Sequence, residues 1–154
     1  MKHITPISKK ICLINSQKKI NIDTSYIQQV IEKLEYFVPK IFNNINIVLV
    51  SDRKIKLLNN QFLGKNYPTD VLSFNLGSTA EIIISVETAQ KQAKLIPHSI
   101  EDEIIYLIIH GVLHISGYND NNPKNYDRMK STQDKIFLRV LKNVITKRKK
   151  QRHS

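Results

Sequence analysis

The segment from Ser99 to Ser116 constrains this chain more than any other. Ile104, Ile105, Leu107, Ile108, Val112 and Leu113 leave it almost no polar face, and Ser99-Ile100-Glu101-Asp102 is the S-x-x-[DE] capping box that opens a helix. A helix apolar nearly all round is buried, so the other elements have to enclose it. His110 and His114 are set into this helix. At about 100° per residue they fall roughly 40° apart, close enough to share one metal ion. Gly117 can take the left-handed conformation that ends a helix and turns the chain back, which would bring up Asp120. Two imidazoles and a carboxylate leave one tetrahedral position open, as catalytic zinc requires. The expectation is one Zn2+ per chain, held by His110, His114 and Asp120.

The rest of the chain supplies the enclosure. Ile11 to Asn15 reads as a short first strand. Asp23 or Thr24 can cap a helix carrying Ile27, Val30, Ile31, Leu34 and Val38, which Pro39 ends. Ile45 to Val50 is a buried strand, and Ser51 or Asp52 caps a short helix with Ile55, Leu57 and Leu58. The loop Gly64 to Pro68 leads into Thr69 to Phe74, whose end is extended. A turn at Gly77-Ser78 precedes the strand Glu81 to Ser85. A surface helix from Val86 to Leu95 is broken by Pro97. After the central helix, a last one runs from Pro123 or Lys124 towards Ile145, followed by a basic, disordered tail, residues 147–154. The order β-α-β-α-β-β-α-α-α, with helices gathered at the end, predicts an α+β fold. We expect a small mixed four-stranded sheet packed with about five helices, as one domain over residues 1–154.

The formal charge of +11 favours a polyanionic partner, RNA or DNA. AT-rich coding accounts for part of that surplus, since lysines far outnumber arginines and Ile and Asn are abundant. Cys12 is the only cysteine, which excludes an intrachain disulfide and a Cys-based zinc site. Its apolar neighbours place it in the core, and the chain reads as reduced and cytoplasmic. No apolar run reaches the ~20 residues of a membrane span. His3, His98 and His153 lie outside any cluster and are expected to be solvated.

His110, His114, Gly117 and Asp120 together reproduce H-x-x-x-H-x-x-G-x-x-ligand, the frame of the metzincin zinc site. In zinc peptidases a glutamate general base follows the first histidine. Gly111 stands there instead, which argues against peptide hydrolysis.

With its neighbours, this stretch resembles a known family. His110 to Asp120 is similar to the signature H-G-x-L-H-L-x-G-Y-D-H of the YbeY endoribonucleases, rRNA maturation factors of bacteria and organelles. Pro68-Thr69-Asp70-Val71-Leu72-Ser73-Phe74 resembles a second motif of that family, with Leu58-Asn59 before it. Ile82-Ile83-Ile84-Ser85 sits where the family has G-D-I-x-I-S. The agreement runs from about Ile45 to Leu141.

The resemblance implies an α+β fold and a zinc-dependent, single-strand-specific RNase acting in 16S rRNA 3′-end maturation and ribosome quality control. Its partners would be the 16S rRNA precursor and the small ribosomal subunit, with no DNA and no membrane. Zinc on His110, His114 and Asp120 would activate a water or polarise a phosphoryl oxygen, His114 being catalytic through the metal. Lys65 would act beside it and hold the RNA backbone, and Ser73 and Ser85 would line the cleft as further RNA contacts. Three departures stand out. Asp120 takes the place of a third histidine, with Asn119 at the preceding aspartate. Leu63 replaces a cleft arginine, and Ala80-Glu81 replaces Gly-Asp. Two other readings follow from the residues: a ribosome-binding protein without metal, and a metal-dependent hydrolase of another substrate.

Overall fold

The computed structural model describes residues 3–7 and 9–152, and most side chains up to residue 142. His153, the side chain of His3 and the side chains of the basic segment from Lys147 lie outside the described residues. The elements are β1 (His3–Pro6), β2 (Ile11–Asn15), α1 (Thr24–Ile31) running into a 3-10 helix (Glu32–Phe37), and β3 (Asn44–Val50). Next come α2 (Asp52–Leu63), β4 (Val71–Asn75), β5 (Thr79–Ser85), α3 (Val86–Leu95), α4 (Ile100–Ile115) and α5 (Pro123–Arg152). The sheet order is β1-β2-β3-β5-β4, with β2, β3 and β5 parallel and β1 and β4 antiparallel at the two edges.

The expected α+β class and mixed sheet are present, and so are the four expected strands. A fifth, β1, adds to the free edge of β2. His3-Ile4-Thr5-Pro6 has no apolar run to announce it, and Pro6 is tolerated because the strand is an edge. Helix α5 passes beyond the expected end at Ile145 and continues as backbone helix to Arg152.

Both faces of the sheet are covered, which is why its parallel strands read as unbroken apolar runs. Alternate residues of the Ile82-Ile83-Ile84 run point to opposite sides. Ile82 and Ile84 join Ile45, Ile47 and Leu49 in the main core with α1, α4 and α5. Ile83 packs with Val50 and Leu72 against Ile55 of α2. The same alternation corrects the expectation for Cys12. It points away from buried Ile11 and Leu13 and is only half-buried.

Helix α4 lies in the middle, against β4 and β5 and flanked by α1, α3 and α5. Its approach to β5 is close enough to dictate a residue. A Cβ at Gly111 would lie 2.6 Å from Cγ2 of Ile82, which is fully buried and cannot swing away. Gly111 is thus needed by packing.

At the carboxyl end of the parallel strands, the starts of α2 and α3 are tied through one carboxylate. Asp52 accepts hydrogen bonds from the hydroxyls of Ser85 (2.5 Å) and Thr88 (2.6 Å), and Lys91 lies 3.6 Å away. Ser85 is fully buried, and its Oγ also accepts from the Thr88 amide to cap α3. The expectation that Ser85 contacts RNA is therefore corrected: its hydroxyl faces Asp52, out of reach of any ligand. Burial alone would push the Asp52 carboxyl up, but the two hydroxyls and the Lys91 ammonium outweigh it and hold it below its ordinary value.

Two outcomes follow. Gly111→Ala should lower stability in urea unfolding. The overpacking cost of about 1–3 kcal/mol exceeds the roughly 1 kcal/mol gained in helix propensity, and an unchanged or raised midpoint would contradict the close approach. Asp52→Asn should cost about 1 kcal/mol at neutral pH. A lowered carboxyl pKa stabilises in full above the unfolded value near 3.8 and is lost as pH falls through the folded value. The gap between variant and parent should therefore narrow as pH falls below about 3.8 and close once pH has passed the lowered folded value, and a gap independent of pH would rule out the charged cluster.

Candidate metal centre

The end of α4 is built to return the chain. Gly117 sits at φ 102°, its amide donates to the carbonyl of His114 (3.1 Å), and the Tyr118 amide donates to Leu113 (3.0 Å). A left-handed glycine closing the last turn in this way reverses the backbone. Three residues later Asp120 stands over the helix it has just left. Ligand atoms of His110, His114 and Asp120 all lie within 4.8 Å of one another, as their spacing in the sequence leads one to expect. The loop beyond is held by Asn125, whose amide side chain donates to Asn119 (2.8 Å) and Asn121 (3.1 Å).

Hydrogen bonds on the far side of each ring settle which nitrogens carry protons. Gln133 Nε2 donates to the carbonyl of Tyr106 at 3.0 Å, so its Oε1 is the atom facing His110 Nδ1 at 3.1 Å. That nitrogen must be the donor. His114 Nδ1 faces the carbonyl of Tyr118 at 3.2 Å and must also donate. With Nδ1 as the donor on each ring, the two Nε2 atoms turn into the cleft and face each other at 3.0 Å. Two lone pairs at that distance repel unless they share a cation, and orientation of ligating imidazoles by such outer partners is characteristic of metal sites. Burial first, then neighbouring His110, push the His114 pKa below its ordinary value, against the opposing pull of Asp120 and the Tyr118 carbonyl. A lowered value keeps the ring neutral and able to ligate at pH 7.

Zinc fits this donor set. Two bonds of about 2.0–2.1 Å at a tetrahedral angle span roughly 3.3 Å between ligand atoms. The two imidazoles stand at 3.0 Å, and His114 Nε2 lies 3.9 Å from an oxygen of Asp120. Small side-chain rotations reconcile the two distances.

The cluster lies in a cleft. On one side are Leu63, Asp70 and the edge strand β4 with Ser73; on the other are Tyr106, Met129 and Gln133. Ser73 is thus brought to the site, whereas Ser85 is not. Lys65 is exposed on the loop after α2 and does not line the cleft; Leu63 does.

Several contributors escaped the sequence reading. Gln133 is a lone polar residue on the buried stripe of α5, between Met129 and Ile136, and that position was the available signal. Tyr106 donates to Asp134 at 2.7 Å, and burial together with that carboxylate holds its phenol far above its usual range, so it cannot serve as a base. The Asp70 carboxylate accepts from the Val71 amide (2.8 Å) and Gln92 (3.2 Å) beside the cluster. His98 corrects an expectation: its side chain is only 17% exposed and lies 2.5 Å from Glu103, a buried carboxylate on α4 that needs a partner.

Known proteins resemble the chain over most of its length. The family model for endoribonuclease YbeY matches residues 12–141. Relatives named endoribonuclease YbeY include one from Syntrophus aciditrophicus, 36% identical over 86% of this chain and 90% of its own. Others come from Phytoplasma mali, 34% identical over 89% and 96%, and Petrotoga mobilis, 37% identical over 87% and 97%. A Thermotoga maritima protein known from a solution structure aligns with a TM-score of 0.62 at 30% identity, over 90% of this chain and 92% of that one. With the match spanning most of its length, the chain belongs to the YbeY endoribonuclease family.

Proposed function

We propose that this protein is a zinc-dependent endoribonuclease that cleaves single-stranded RNA. Its substrate is the 16S rRNA precursor on the small ribosomal subunit, in the cytoplasm, where 3′-end maturation and ribosome quality control take place. The observation that carries the metal part is the pair of imidazole Nε2 atoms facing each other at 3.0 Å. Family membership supports RNA as the substrate class.

His110, His114 and Asp120 would hold the ion. A bound zinc supplies Lewis acidity toward a phosphoryl oxygen and lowers the pKa of water toward ~7, so no glutamate base is required. The chain's own groups hold the geometry. Gln133 and the Tyr118 carbonyl fix the two rings with Nε2 forward. Ser73, on the strand edge that lines the cleft, offers a hydroxyl to a phosphate oxygen. Leu63 makes that wall apolar, and Lys65 is left to meet a flanking phosphate from the exposed loop. Gly111 is occupied with Ile82, so the position of a peptidase glutamate is closed by packing.

Purified protein should carry about one zinc per chain and cleave single-stranded RNA, while His114→Ala and Asp120→Ala should lose stoichiometric zinc and at least ~100-fold in cleavage. Metal-free wild type that binds RNA without cutting it would instead make the chain a binding protein. Gln133→Leu should keep the fold but weaken zinc binding by about 10–100-fold, because the His110 ring loses the acceptor that orients it. Competition with a chromophoric chelator measures this, and unchanged affinity would refute the outer-partner role.

A further inference from the structure

The cleft is poorly charged for holding a polyanion. Its lining carries the carboxylates of Asp70, Asp120 and Glu103, the last paired with His98, against one ammonium, Lys130, which Asp134 engages at 3.2 Å. Yet the chain as a whole is at +11. Helix α5 orders part of that surplus. At 100° per residue, Lys124, Arg128, Lys135, Arg139 and Lys142 fall within about 60° of one another along about 27 Å of helix. All five are exposed. The acids of the same stretch, Asp127 and Asp134, lie roughly 100° from the centre of that stripe. They sit on the flank where Asp134 meets Tyr106 and Lys130 at the cleft. Helix α5 thus has an acidic flank toward the cleft and a basic one away from it.

Two further observations give the basic flank a shape. Beside it runs a groove floored by Phe37, Leu113 and Ile136 and rimmed by Lys135 and Arg139. The guanidinium of Arg128 lies 5.6 Å from the centroid of Tyr118, and that of Arg139 lies 5.9 Å from the centroid of Phe37. Stacking of this kind holds long cationic side chains in place and leaves flat faces beside them. At its near end, Arg128 shares a hollow with Tyr118 and Asn119, the two residues that precede Asp120. The stripe is therefore continuous with the metal loop. Among the described residues, none of Arg128, Lys135 and Arg139 forms an ion pair with a carboxylate.

We propose that this flank of α5 is a docking track for the phosphate backbone of the RNA substrate. A strand would pass from the cleft over the Asp120 loop and along Arg128, Lys135 and Arg139. The proposal rests on the RNA reading above and adds where the strand is held. Cations one to two helical turns apart beside aromatic faces are the combination that binds single strands without reading their sequence. A lipid surface would require exposed apolar residues on the same face. Between these cations lie Ser131 and Thr132, and exposed Leu138 at the edge of the stripe is one apolar side chain rather than the continuous row an interfacial helix needs.

The test uses the full chain with saturating zinc and uncleavable 2′-O-methyl RNA, one strand of about 5 nucleotides to fill the cleft and one of about 20 to reach along α5. The variant is Arg128→Gln/Lys135→Gln/Arg139→Gln. The control is Arg53→Gln/Lys54→Gln/Lys56→Gln, which removes three exposed cations from α2 on the opposite face of the sheet. For the α5 variant, Kd for the long strand should rise at least about 10-fold, and its salt dependence should fall by about 2 in log–log slope. Its binding of the short strand and its kcat on a short cleavable RNA should stay at the parent value. Unchanged binding of the long strand, or an equal loss in the α2 control, overturns the track and leaves the RNA reading standing. A variant that loses only its capture by phosphatidylglycerol vesicles assigns the stripe to lipid and also overturns it. Parent protein that binds neither strand removes the RNA reading, and the track with it.

Discussion

Helix α4 and strand β5 approach so closely that no methyl group fits at position 111, and the arrangement of the site descends from that contact. A helix at ordinary distance from a sheet can slide or rotate by a few degrees as its side chains repack. One seated backbone-first on Ile82 has much less freedom, because any rotation drives a neighbouring side chain into β5. His110 directly precedes Gly111, and His114 lies one turn on, so the seating of the glycine sets the direction of both rings. The position that packing against β5 closes to a side chain is the one where a zinc peptidase carries its base. Packing and chemistry are therefore decided at the same residue.

The second constraint comes from α5. Its buried stripe of Met129, Ile136 and Val140 is interrupted by Gln133, whose amide spans from the carbonyl of Tyr106 to the ring of His110. A buried amide without partners would be costly. Here both ends are used, and the outcome is a histidine held in one tautomer. The carbonyl of Tyr118 does the same for His114, and it is positioned by the left-handed turn at Gly117 that also delivers Asp120. One turn thus sets the orientation of one candidate ligand and the location of another.

How much of this was legible in the sequence depends on whether a residue's role is local. The burial of α4, the cap at Ser99, the reversal at Gly117 and the convergence of His110, His114 and Asp120 all follow from spacing within a span of 22 residues. The strands with apolar runs were legible for the same reason. What failed was non-local. β1 exists because β2 has a free edge, not because of its own four residues. Ser85 looked like a cleft hydroxyl until Asp52, 33 positions away, proved to be its partner. His98 looked solvated because nothing in the sequence shows that Glu103 is buried and requires it. Gln133 meets His110 across 23 positions, and only its incongruity on an apolar stripe hinted at a task.

Asp120 links the site to the rest of the surface. Two neutral imidazoles and a carboxylate form a donor set of charge −1, where three imidazoles would be neutral. That carboxylate strengthens the electrostatic hold on a dication but leaves less net positive charge to attract a phosphodiester. Leu63 removes another source of attraction from the same cleft, and Asp70 adds a further negative charge beside it. Attraction for the substrate must then come from cations outside the cleft. The sequence is rich in them, and α5 arranges five on the flank facing away from its own acids. A weakly attractive cleft beside a strongly attractive track allows the two tasks to be separated: the track raises the local concentration of the strand, and the cleft has only to favour the geometry in which the bond breaks. On this argument the carboxylate at 120 and the basic stripe on α5 are two halves of one electrostatic arrangement.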